Sequence, residues 1–136
     1  MTDRRILLST LWIFATLNYL YADVFSSFFD VDAQEEALRV TKGSGAAVLA
    51  FAVLLETAIA MVLLSRILKY RLNRWTNVGA GLIHTVLVAW SLTGSTPELF
   101  YAFFAVVEIA CTLFIVWFAW KWREPAGQPS QDARPS

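Results

Sequence analysis

The chain has 136 residues, of which 57% are apolar without counting glycine; its mean hydropathy is +0.54 and its formal net charge is zero. Soluble domains reach only about 45–50% apolar with glycine included, and a neutral chain lacks the basic excess of a nucleic-acid binder. A single cysteine, Cys111, rules out an intramolecular disulfide and any CxxC or Cys/His zinc pattern; no nucleotide, metal or haem signature is present, so no cofactor and no nucleic-acid partner is expected.

Taken in order, the chain predicts four apolar helices. Residues 6–29 form the first apolar run. It is long for a cleaved signal peptide, contains Asn18 and Asp23, and is followed by no small-x-small cleavage site, so it reads as a retained helix. Residues 30–45 are polar. Asp32 followed by Glu35 fits a capping box, which predicts a short surface helix over 33–40, broken by Gly43-Ser44-Gly45. The second run, 46–68, exceeds the roughly 20 residues needed to cross about 30 Å of hydrocarbon. A tight basic connection with Arg66, Lys69, Arg71 and Arg74 leads into the third run, 75–94. Ser95-Thr96-Pro97-Glu98 is a turn that opens a helix, with Thr96 as cap, Pro97 suited to the first helical position and Glu98 to the positive end of the dipole. The fourth run is 99–120, and residues 124–136, rich in Pro, Gln and Ser, predict a disordered tail. The expected fold is an all-α membrane protein, a four-transmembrane-helix bundle over residues 1–123.

Orientation follows from the placement of Lys and Arg. Arg4, Arg5, Arg66, Lys69, Arg71, Arg74, Lys121, Arg123 and Arg134 fall on one side, and only Arg39 and Lys42 on the other. This predicts an inner-membrane protein with both termini cytoplasmic. The opposite loops carry Asp30, Asp32, Glu35, Glu36 and Glu98.

The second and fourth runs share a register. Glu56, Ala58, Lys69, Tyr70 and Arg71 are matched 52 residues later by Glu108, Ala110, Lys121, Trp122 and Arg123. Both runs cross in the same direction, so the pattern is compatible with parallel duplication of a two-helix hairpin as well as with convergent use of membrane-helix features.

One polar side chain per helix falls near mid-depth. Asn18 stands 13 residues past Arg5, Glu56 13 before Lys69, His84 10 past Arg74 and Glu108 13 before Lys121. At 1.5 Å per residue that is roughly 15–20 Å from the basic layer, about half the hydrocarbon thickness. Asp23 lies about a turn and a half further out on the first helix. A charge at the bilayer centre costs about 2.5–3.5 kcal/mol, so Glu56, His84 and Glu108 are expected to converge inside the bundle. Ala52 and Ala60 flank Glu56 and predict that this stripe faces inward. Such a cluster suits proton exchange, acid–base work or the binding of a cationic ligand. Interhelical hydrogen bonding alone is the structural alternative, and for Cys111 a buried, inert thiol is the simplest reading.

The stretches LLSTLWIFATLNYLYADV, AMVLLSRILKYRLNRWTN and EIACTLFIVWFAWKWR resemble a group of small bacterial four-helix membrane proteins known only as a domain of unknown function. Members often carry a proline two residues past the glutamate of the second helix, where this chain has Ala58. The resemblance implies a membrane location and four helices over most of residues 5–123, and implies no activity. The likeness to DoxX-like and sterol-isomerase-like four-helix families is one of architecture alone.

Three functions are compatible with this pattern. The first is a module that binds a small ligand, protons or cations at an acidic midplane site built from Glu56, Glu108, His84, Asn18 and Asp23. Four helices make a thin wall for a pathway, so this reading expects a homodimer in the lipid bilayer. The second is an intramembrane acid–base enzyme of isomerase type; the third is a structural or accessory subunit. The residues assign no catalytic role.

Overall fold

The computed structural model describes residues 3–93 and 98–123, which form five helices, with no strand among the described residues. Asp3 begins the first, α1 (Arg4–Phe29): its carboxylate accepts from the backbone N–H of Arg5 at 3.0 Å, satisfying one of the donors that a helix start leaves free. α2 (Val31–Gly43) is the surface helix, longer than the expected 33–40. Its first turn is closed on the backbone of Asp30, whose carbonyl accepts from Gln34 N–H at 3.1 Å, so Asp32 sits inside the first turn and does not cap. Ser44 divides α2 from α3 (Gly45–Ile67) and caps the latter through its hydroxyl, 3.3 Å from Ala47 N–H.

α4 (Tyr70–Ser91) starts five residues before the expected position 75. Only Leu68 and Lys69, both with extended backbone, separate it from α3. Asn73 makes so short a connection stable. Its side-chain amide donates to the carbonyls of Ser65 at 2.7 Å and Leu68 at 3.5 Å, groups that the end of α3 would otherwise leave unpaired. α5 (Leu99–Trp120) follows Glu98, which stands at the N-cap without a side-chain cap bond. Ser95, Thr96, Pro97 and the tail from 124 lie outside the described residues.

α1, α3, α4 and α5 alternate in direction around a common axis. Ser9 near the start of α1 donates to Val62 O near the end of α3 (2.8 Å), Ser65 of α3 meets Asn77 of α4 (3.2 Å), Thr85 of α4 meets Thr112 of α5 (2.7 Å), and Asn18 of α1 donates to Phe104 O of α5 (3.0 Å). α1 and α4 run parallel across the diagonal. α4 and α5 approach closely at Gly81, where an added Cβ would lie 2.6 Å from Val116 Cγ2 and 3.2 Å from Thr112 O.

The distribution of side chains inverts that of a soluble protein. Buried positions are small or polar in large part: Ser9, Ala15, Ala58, Ser65, Asn73, Asn77, His84, Glu108 and Thr112. The exposed surface carries Phe14, Leu17, Leu63, Ile83, Trp90, Phe103 and Val106, among many other large apolar residues. Water would penalise a surface of this kind; hydrocarbon does not. α1, α3 and α5 are each long and apolar enough to cross a membrane. α4 matches them in length, and its hydropathy is lowered by Arg71, Asn73, Arg74 and Asn77.

Candidate functional site

Glu108 lies in the middle of α5, on the face that also buries Ala105, Cys111, Thr112 and Ile115. It is only 4% exposed, and its Oε1 has no hydrogen-bond partner. Burying a carboxyl without pairing it is costly, so the space in front of it matters. That space is a crevice of about 110 Å³ bounded by all four long helices. Ala22, Ala105 and Glu108 are its buried floor; Asp23, Phe51 and Ser91 are exposed at its mouth; Tyr19 and Tyr101 form parts of the wall. It opens where α1 and α4 end and α3 and α5 begin, the end of the bundle that carries the acidic loops. Tyr101 donates to Ser91 Oγ at 2.9 Å, which ties α5 to α4 across the mouth. Among the described residues no Lys, Arg or His forms an ion pair with Glu108 or Asp23, and the one ion pair is Arg39–Glu36 on α2.

Below the crevice the interior stays polar. Tyr19 Oη and His84 Nδ1 share a hydrogen bond of 2.6 Å, and the other ring nitrogen of His84 has no partner. The Trp12 ring stands edge-on to His84 with centroids 5.4 Å apart. Its indole N–H donates to Asn77 Oδ1 at 2.8 Å, which also accepts from Ser65 Oγ at 3.2 Å. Asn77 in turn donates to the backbone and side-chain oxygens of Asn73 at 2.8 and 2.7 Å. This lower cluster is satisfied and wholly buried. It can hold helices together but offers nothing to a ligand. Of the buried polar atoms without a partner, Arg74 Nε lies at the basic end, and His84 Nε2 and Glu108 Oε1 lie higher.

The five residues singled out from the sequence therefore divide. Glu108 and Asp23 share the crevice, and His84 is joined to it through Tyr19. Asn18 is not among the crevice residues and spends its amide on Phe104 O, joining α1 to α5. Glu56 is exposed, contrary to the inward stripe expected for Ala52, Glu56 and Ala60. The buried face of α3 is Ala58, Met61 and Ser65. At about 100° per residue, Glu56 lies roughly 200° around the helix from Ala58, so both cannot face the interior. It lines an outer groove with Thr57, Ala60, Thr76 and Gly79, between α3 and α4. The repeated register consequently changes face. Ala58 is buried and Glu56 exposed on α3, while Glu108 is buried and Ala110 exposed on α5. The two stretches meet at their basic ends, where Tyr70 Oη donates to Trp122 O at 2.6 Å.

Tyr19, Tyr101 and Ser91, and the Trp12–Asn77–Asn73–Ser65 cluster, are absent from the sequence expectation. A signal for part of it exists. Asn73, Asn77 and His84 recur at i, i+4 and i+11, one stripe of a helix, but a third run starting at 75 leaves Asn73 out. Tyr19 follows Trp12 at i+7 on the same face of α1, next to Asn18, which draws attention first as the amide.

The sequence model of a family described as "Family of unknown function (DUF6326)" matches residues 1–127. No curated protein and no solved structure matches the chain.

Proposed function

The chain belongs to that family of unknown function, and we propose that it is a multi-spanning membrane protein that binds a small organic ammonium ion in the crevice at Glu108. The observation that carries this reading is the buried, unpartnered Oε1 of Glu108, a residue only 4% exposed, beside Asp23 in a space lined by Tyr19, Tyr101 and Phe51. Two carboxyl groups provide charge, aromatic faces attract a cation within about 6 Å, and hydroxyl oxygens accept its N–H bonds. A volume of about 110 Å³ is well under the roughly 300 Å³ of the smallest usual ligand pockets, which favours a cation of a few heavy atoms.

In this reading α4 spans the membrane with α1, α3 and α5, and the basic ends face the cytoplasm of an inner membrane by the positive-inside bias. The crevice then opens away from the cytoplasm. Acid–base isomerisation is less well supported, because the small volume leaves little room for a substrate and His84 touches the crevice only through Tyr19.

The test is equilibrium binding of radiolabelled methylammonium to the purified full chain by scintillation proximity. The expected result is saturable binding of one ion per chain, displaced by ethylammonium and not by tetrabutylammonium, which is too large to enter. Absence of saturable binding, or equal displacement by both competitors, overturns the reading.

A further inference from the structure

A second open groove, of about 330 Å³, runs along the outside of α1 and α3. Its walls are Ile13, Thr16 and Leu17 of α1 and Ile59, Val62 and Leu63 of α3, and Arg66 stands at its basic end. From Ile59 to Arg66 the groove follows two turns of α3, about 10 Å of helix. It is an apolar trough with a cation at one end.

Arg66 is held in place. Its Nε donates to Ser9 Oγ at 3.0 Å, and Ser9, 0% exposed, passes its own hydrogen to Val62 O at 2.8 Å. The Nε bond leaves the two terminal amino groups of the guanidinium as donors. Among the described residues no carboxylate takes them: the one ion pair there is Arg39–Glu36, at the other end of the bundle. Arg5 lies one turn before Ser9 on α1, so a second cation sits at the same end. Asp3, at the same end of α1, caps Arg5 N–H.

We propose that this groove is a binding site for an anionic phospholipid, with the phosphate on Arg66 and one acyl chain lying against Ile13, Leu17, Ile59 and Leu63. The complementarity is twofold: a fixed guanidinium matches a phosphate bidentately, and the trough matches a chain that continues away from it into hydrocarbon. A zwitterionic lipid fills the trough equally well but gains less at the cationic end, where each nearby Lys or Arg strengthens binding by about fivefold.

The site is tested by native mass spectrometry of the full chain, delipidated in detergent and titrated with phosphatidylglycerol or phosphatidylcholine of identical acyl chains. The first phosphatidylglycerol should bind at least about fivefold more tightly than the first phosphatidylcholine. Arg66→Gln should remove that preference, whereas Arg71→Gln, exposed and outside the groove, should keep it. Leu17→Trp, which fills the trough without touching the charge, should weaken both lipids. Glycerol phosphate should not compete at the lipid's concentration. Equal binding of the two lipids, a preference that survives Arg66→Gln, or displacement by glycerol phosphate overturns the proposal. If Arg66→Gln does not assemble, Leu17→Trp decides: unchanged phosphatidylglycerol binding rejects the groove.

Discussion

Tyr19 and His84 meet through a 2.6 Å hydrogen bond, two turns along from Trp12 and Asn77, which meet at 2.8 Å. The two pairs repeat one geometry on the parallel diagonal helices, α1 and α4. The lower pair is part of a closed network; in the upper pair one ring nitrogen of His84 has no partner, and Tyr19 lines the crevice. The same scaffold thus supplies an anchor at one level and a wall of the candidate site at the next.

The Tyr19–His84 bond couples the two helices measurably. A double-mutant cycle of Tyr19→Phe and His84→Leu, read by unfolding in mixed micelles, should give a coupling of at least about 0.6 kcal/mol, the average for interhelical hydrogen bonds in membranes, and no more than about 1.7 kcal/mol, their maximum. Tyr19→Phe should also weaken methylammonium binding by about two- to tenfold, the worth of one hydrogen bond. Strict additivity in the cycle would show that the two side chains do not interact.

Asn77→Ala should be more damaging. It strips Trp12 Nε1 of its acceptor and Asn73 and Ser65 of a shared partner, all in a buried setting. A loss of about 1–3 kcal/mol is expected from the unpaired groups, with ammonium binding per folded molecule unchanged. Thermal unfolding followed by circular dichroism and binding assays on the folded fraction separate the two effects.

The two glycines of α4 should respond with opposite sign. Gly81→Ala places a methyl 2.6 Å from Val116 Cγ2 and 3.2 Å from a backbone carbonyl, and should cost about 1–3 kcal/mol by forcing α4 from α5. Gly79→Ala meets nothing within 4 Å and should be neutral or stabilising by up to about 1 kcal/mol through helix propensity. Parallel unfolding curves check both.

Depth along the helices was readable from the sequence, and rotation about them was readable only in part. The 13-residue distances of Glu56 from Lys69 and of Glu108 from Lys121 fix how far each acid lies from a basic end, because rise per residue is constant. They carry no information on facing. On α4 the stripe Asn73, Asn77 and His84 marks the buried face, since polar atoms seek partners within the bundle. The polar residues of α3, Glu56, Thr57, Ser65 and Arg66, point around the helix and form no single stripe, so none identifies its interior face, and the small residues Ala52 and Ala60 mislead because Ala58 is equally small and is the one buried. The pairing of Tyr19 with His84 is not legible for a different reason. A tyrosine near mid-depth resembles packing until its hydroxyl is seen against His84. The crevice itself is built from four helices brought together by tertiary packing, and no local pattern encodes it.

The central claim, that Glu108 and not Glu56 holds the ligand, is tested most directly by methylammonium binding to Glu108→Gln and Glu56→Gln in matched preparations. Glutamine keeps the size of the side chain and removes its charge. Glu108→Gln should lower affinity at least about tenfold while retaining the helical spectrum, and Glu56→Gln, on the outer groove, should bind as the unaltered chain does. Unchanged binding in Glu108→Gln, or an equal loss in Glu56→Gln, would contradict the account.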